Sequence, residues 1–173
     1  MIMVSFPSAR YVYSCVCLFI AILLAWAAYA QEASVEPNIK KIGFDTTTIQ
    51  LHSKDKTHWL RVDLALRPEQ WERGLMYRKV MPRDTGMLFI FPDMQMRSFW
   101  MKNTFIPLDI IFLDHQGRIL HIHENAEILS QKNILSKYPA KMVLEINAGL
   151  SKTLGIDVGD RVYHPAFAKI ANP

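Results

Sequence analysis

From residue 46 onward, hydrophobic and polar positions alternate with a period of two over much of the chain. Thr47-Thr48-Ile49-Gln50-Leu51-His52 reads as a strand, Lys54-Asp55-Lys56 as a charged turn, and Leu60, Val62, Leu64 and Leu66 then alternate with Arg61, Asp63 and Ala65. One face of that second strand is buried and the other wet, and the two strands form a hairpin. Pro68 suits a first helical position. Glu69 and Glu72 fall near the positive end of the predicted helix and Arg73, Arg78 and Lys79 towards its negative end. Trp71 and Leu75 share a face, Gly74 weakens the helix, and Met81-Pro82 is the expected stop.

Met87-Leu88-Phe89-Ile90-Phe91 is apolar throughout and predicts a strand covered on both faces, broken by Pro92-Asp93. Met94, Met96, Ser98 and Trp100 then fall on one strand face. Ile110-Ile111-Phe112-Leu113 is a buried strand with Asp109 at its start, and His115-Gln116-Gly117 turns the chain into a returning strand from Arg118 to Glu124. There His121 and His123 point one way, Leu120 and Ile122 the other. Asn125 to Tyr138 reads as irregular surface. Lys141 to Ile146 is a strand with Glu145 among apolar neighbours, Leu150 to Leu154 a short helical piece, and Arg161-Val162-Tyr163 the last strand.

Short strands joined mostly by tight turns, with one short helix after the first hairpin, predict a mainly β (α+β by content) domain: a compact antiparallel β-sandwich or barrel. The 173 residues suffice for one domain with a real core. Residues 46–164 form that domain, with 31–45 as a linker and 165–173 as a tail. Tyr11 to Ala30 carries no charged residue, Arg10 precedes it, and Ala28-Tyr29-Ala30 before Gln31 fits a small-x-small cleavage site. Residues 1–30 therefore read as a signal peptide, or, left uncleaved, as an anchor with the domain outside. Either way the domain is expected in the periplasm or another extracytoplasmic compartment. Cys15 and Cys17, the two cysteines, lie inside the segment, so the mature chain has no thiol for a disulfide, nucleophile or metal site.

A net charge of +4, with no lysine or arginine block interleaved with aromatics, argues against nucleic acid as a partner. Two constellations could carry chemistry. Arg73, Lys102, Asn103, Asp109 and Glu145, with Trp100 as an apolar wall, mix donors and carboxylates and would make a polar ligand pocket. The bland alternative, a buried network fixing strand register, is favoured for this set because semi-buried charges usually occur in pairs. In either case Asp109 needs a partner, and Lys102, Arg73 or the Asn103 side chain could supply it. Two carboxylates are also the minimum for glycosidase chemistry. The second set, Met94 and Met96 with His121 and His123, offers thioether and imidazole ligands for Cu(I) or Ag(I), against the alternative of packing methionines and solvated histidines. No G-x-S-x-G, H-E-x-x-H or G-x-G-x-x-G occurs.

Glu72-Arg73-Gly74-Leu75-Met76, Gly86 to Phe91, Ser98 to Asp109, Asp114 with Gly117, Val143-Leu144-Glu145, and Leu154-Gly155-Ile156 with Gly159-Asp160 together resemble the domain of unknown function 192 family, from Thr46 to Tyr163. The resemblance implies a compact, mainly β domain with a helix after its first hairpin, often behind an export signal. It implies no reaction and supplies no catalytic residues. The chain thus reads as an exported domain that acts by binding a small molecule or an envelope protein, through the face around Trp100, Lys102 and Asn103. No cofactor is expected on that reading. A soft-metal binder and a small hydrolase acting on envelope carbohydrate are the alternatives. Contact with a membrane is expected only through an uncleaved N-terminal segment.

Overall fold

A computed structural model describes residues 42–165 and 167; the signal segment and nearly all of the linker expected from the sequence lie outside them. Nine strands form: β1 (Asp45–Ser53), β2 (Lys56–Ala65), β3 (Thr85–Gln95), β4 (Ser98–Phe99), β5 (Leu108–Leu113), β6 (Ile119–Ala126), β7 (Ile134–Leu135), β8 (Ala140–Asn147) and β9 (Arg161–Tyr163). Helices α1 (Pro68–Arg73) and α2 (Leu150–Leu154), both short, accompany them among the described residues. Seven strands make one curled sheet in the order β6-β5-β8-β3-β2-β1-β9, while β4 and β7 pair separately. An isolated bridge between Arg118 and Arg161 joins the start of β6 to β9. The sheet thereby curls towards closure as a half-barrel.

The period-two pattern decides what lies inside. Ile49, Leu51, Leu60, Val62, Leu88, Ile111, Leu113, Met142, Leu144, Ile146 and Val162 form one buried cluster, joined by Leu150 of α2 and by Phe167. Phe167 is buried, so packing continues past His164. The alternate positions, including Met87, Phe89, Phe91, Leu108, Ile110, Phe112 and Val143, form a second cluster on the outer face. Trp71 of α1 and Met101, Ile106 and Ile134 of the connecting segments cover it. Runs such as Met87–Phe91 lack visible alternation because both of their faces are buried.

Closure depends on Gly117. It has a φ of 78°, a Cβ there would clash with the Val162 carbonyl oxygen, and the Val162 N–H donates to the Gly117 carbonyl at 2.8 Å. The Ile119 N–H donates to the Asp160 carbonyl at 2.9 Å beside it. Asp114 shapes the preceding turn, its Oδ1 accepting from the N–H groups of Gln116 and Arg118 at 2.8 and 2.9 Å.

Four details differ from the sequence expectation. β2 and β3 are parallel, Leu64 facing Leu88, because residues 66–84 with α1 form a crossover long enough to return the chain in the same direction. The helix stops at Gly74, whose φ of 45° and N–H bond to the Gln70 carbonyl end it well before Met81. β3 runs through Pro92 to Gln95; its register with β8 shifts between Ile90 and Gln95, so proline interrupts no regular ladder pair. The expected irregular segment Asn125–Tyr138 contains the end of β6 and β7, and its Ile134 and Ser136 are buried. Gly117→Ala is expected to lower stability by at least about 2 kcal/mol, since both the backbone angle and the contact oppose a side chain. Urea denaturation measures it, and an unchanged midpoint would contradict this account of closure.

Candidate functional site

The two buried acids of the central strands lie on opposite faces of the sheet. Asp109 of β5 pairs with Ile146 of β8, and Glu145 of β8 pairs with Ile110 of β5. Alternation then places Asp109 with Ile111 and Leu113, towards the half-barrel interior, and Glu145 with Val143, on the outer face. The pair does not flank a common site. Carboxylate chemistry on a single glycosidic bond would require that it did.

Asp109 is wholly buried and fully employed. Its Oδ1 accepts from the backbone N–H groups of Asn125 (2.9 Å) and Gly149 (3.1 Å); its Oδ2 accepts from the N–H (3.1 Å) and hydroxyl (2.6 Å) of Ser151. Neither Lys102, Arg73 nor Asn103 is its partner. The expectation of a cation or amide fails because backbone donors at the first turn of α2 and at the end of β6 reach it first. Asp109 is therefore a structural tie between β5, β6 and α2.

Glu145 has the opposite character. It is 5% exposed, its carboxyl group makes no hydrogen bond among the described residues, and it lines a cleft of about 260 Å³. Burial pushes its pKa up to about 8, and the nearby Arg78 guanidinium opposes that rise. Arg78 is itself paired with Asp63 of β2, at 2.5 Å. Gly86 lets β3 lie close to β8 here, since a Cβ would stand 2.4 Å from the Glu145 carbonyl oxygen.

The cleft opens between α1 and its following turn on one side and residues 96–104 on the other, over the ends of β3 and β8. Trp71, Phe89, Phe91, Phe99 and Trp100 contribute aromatic surface, and Glu72, Arg73, Arg97, Ser98 and Thr104 contribute polar groups. The rings interlock: Trp71 and Phe91 centroids are 5.0 Å apart, Phe89 and Phe99 5.2 Å, and Phe99 and Phe112 5.9 Å. Arg97 holds the wall in place by stacking at 4.0 Å over Phe91, pairing with Asp93 at 2.6 Å and donating to the Ala140 carbonyl at 3.1 Å. A second hollow of about 450 Å³ lies beside Leu60, Leu150 and Leu154. It is lined by His58 and Trp59 as well as by the exposed Arg83 and Asp84, and the buried His58 Nε2 has no hydrogen-bond partner among the described residues.

Of the residues singled out from the sequence, Arg73, Trp100, Glu145 and Met96 line the cleft. Lys102 is at its rim, its ammonium 5.1 Å from the Trp100 ring. Asn103, with a φ of 56°, supports the neighbouring turn: its Nδ2 donates to the Tyr77 hydroxyl at 2.9 Å and its carbonyl accepts the Tyr77 N–H at 2.8 Å. Met94 is exposed near the end of β3. Ser98 and Phe99 pair with Leu135 and Ile134, so Met94, Met96, Ser98 and Trp100 do not continue one strand. His121 and His123 face outward on β6, opposite Phe112 and Ile110, and His121 stacks on Phe112 with ring planes 5° apart. Burial, followed by Lys137 and His123, lowers the His121 pKa. Strands β5 and β8 lie between β6 and β3, so the sheet does not bring the histidine and methionine pairs onto neighbouring strands. Sequence reasoning missed Arg97 and the phenylalanine wall; the alternation of Phe89 and Phe91 with Leu88 and Ile90 was the available signal.

A half-barrel with an aromatic cleft on its outer face is thus the kind of molecule this sequence encodes. The chain belongs to the domain of unknown function 192 family, described as "Uncharacterized ACR", whose profile matches residues 49–164. No curated protein matches the chain. A crystal structure from Sinorhizobium meliloti 1021, provisionally described as a transcription regulator, is similar at 44% identity and a TM-score of 0.70, over 71% of this chain and 96% of that one. A protein of unknown function from Novosphingobium aromaticivorans DSM 12444 is similar at 34% identity and a TM-score of 0.69, over 76% of this chain and 91% of its own.

The two acids give opposed predictions. Asp109→Ala strands buried backbone donors and is expected to cost about 3 kcal/mol or more in urea denaturation, whereas isosteric Glu145→Gln leaves the fold intact. The raised Glu145 pKa means that the folded state holds a proton the unfolded chain gives up. Wild-type stability relative to Glu145→Gln should therefore fall as pH rises from about 4.5 to about 8, by on the order of a few kcal/mol. A parallel pair of stability profiles across that window would contradict the assignment.

Proposed function

We propose that this protein is a ligand-binding module of the cell envelope, exported by its N-terminal segment, that holds one small molecule in the cleft around Trp100, Arg73 and Glu145. The observation that carries this reading is an acid buried at a cleft lined by five aromatic residues, its carboxyl group without a hydrogen-bond partner among the described residues and near the Arg78 guanidinium. A buried polar group normally finds a partner within the fold, as Asp109 does. One left facing a cleft suits a ligand atom.

A reading as a binder rather than an enzyme is supported by the separation of the two buried acids. Ser98, which lines the cleft, has no basic side chain bonded to it among the described residues. The description of one relative as a transcription regulator points elsewhere. Among the described residues, α1 and α2 have six and five residues, too short to lie along a major groove as recognition helices.

The test is a thermal-shift screen of the chain from Gln31 onward, against sugars, peptidoglycan fragments, amino acids, nucleotides and metal ions. A compound that binds the folded state raises the midpoint by mass action, by an amount set by its concentration over Kd. Trp100 is 44% exposed, so Trp100→Ala is expected to keep the wild-type midpoint within a few degrees and to abolish the ligand-induced shift. A ligand shift that survives Trp100→Ala would place binding elsewhere.

A further inference from the structure

The charged groups lining the cleft are not equally committed. Arg97 is paired with Asp93, and Arg78, which faces Glu145 from the turn after α1, is paired with Asp63. Arg73 forms no ion pair among the described residues. Its guanidinium lies 4.5 Å from the centroid of the Tyr77 ring, and its N–H groups make no hydrogen bond among the described residues. The Glu145 carboxyl group makes no hydrogen bond among the described residues, and Glu72 is exposed on α1 at the rim. Arg73, Glu145 and Glu72 thus line the same aromatic cleft with no ion pair within 4.0 Å among the described residues, Arg78 acting on Glu145 while paired with Asp63.

Resting on the reading of this cleft as a ligand site, we infer that its ligand is a zwitterion of the size of one free α-amino acid: its ammonium on Glu145, its carboxylate on Arg73 and its apolar side chain against the Trp71, Phe91 and Trp100 wall. The chemistry of the lining sets each element. A purely anionic ligand would meet Arg73 but would not draw the proton from Glu145; a purely cationic one would meet Glu145 and oppose Arg73 and Arg97. A neutral sugar would suit the aromatic rings and leave the Arg73 charge unmatched. Aromatic faces also attract an ammonium group held beside them. The volume of about 260 Å³ falls just below the usual range for ligand pockets and is on the scale of a single residue. No covalent bond changes. The Glu145 carboxyl releases its proton to solvent as the ammonium takes its place, so binding and proton release are linked.

Isothermal titration near pH 7 tests the inference, using L-leucine, L-methionine and L-phenylalanine in two buffers of different ionisation enthalpy. At least one is expected to bind with release of a proton. Removing either its amino or its carboxylate group, as in 3-phenylpropanoate and 2-phenylethylamine for phenylalanine, should weaken binding at least about tenfold, since each group forms a charge-assisted contact. Glu145→Gln should weaken the amino acid by a similar factor and leave the deaminated acid unchanged; Arg73→Gln should do the reverse with the decarboxylated amine. Equal affinity for the amino acid and its deaminated analogue would overturn the zwitterion, as would no binding by any of the three. If another compound from the broader screen binds and is lost in Trp100→Ala, the cleft stands and this ligand class falls. If Trp100→Ala retains every ligand, both fall together.

Discussion

The pleat of β5 and β8 governs both the stability and the chemistry of this molecule. Side chains alternate strictly between the two faces of a strand, and the register sets Asp109 opposite Ile146 and Glu145 opposite Ile110. The two acids therefore meet different surroundings although their strands are hydrogen-bonded neighbours. Towards the interior, a carboxylate without partners would be ruinous, and Asp109 accepts four hydrogen bonds that tie β5 to the end of β6 and to α2. On the outer face, Glu145 has no such partner and lies against a cleft.

The cleft itself follows from how the outer face is covered. A sheet buried on both sides needs apolar residues at consecutive positions, as in Met87–Phe91 and Leu108–Leu113. The interior is filled by the curl of the sheet and its closure at Gly117 and Val162. The outside is covered by the six residues of α1 and by two connecting segments joined through β4 and β7. So short a helix leaves a gap before the segment that carries Trp100. Arg97, pinned to Asp93 and stacked on Phe91, keeps the aromatic rings at the edge of that gap.

Much of this architecture is legible in the sequence. The β1–β2 hairpin, α2 at Leu150–Leu154 and the strand Arg161–Tyr163 follow from alternation, charged turns and glycine stops. The parallel pairing of β2 with β3 does not, because a helix between two strands permits either direction until their partners are known. Pro92 predicts a strand break that does not occur, because the register shift between β3 and β8 absorbs it. Part of the site was legible too, since Arg73, Trp100 and Glu145 line one cleft. Asp109 was grouped with them because a buried acid advertises its need for a partner, and backbone N–H groups, which satisfy it, have no letter in a sequence. That the two acids point to opposite faces depends on strand register, which composition does not encode.

The account rests on Glu145 being a buried, unpartnered acid at the cleft, and its own titration is the most direct measurement of that claim. Carbon-13 NMR of the glutamate side-chain carboxyls, assigned by Glu145→Gln, reads the midpoint without reference to stability. The account predicts a midpoint near 8 that a bound ligand displaces. A midpoint near 4.5, unaffected by any ligand of the cleft, would mean that Glu145 is hydrated or paired like an ordinary surface carboxylate, and would contradict it.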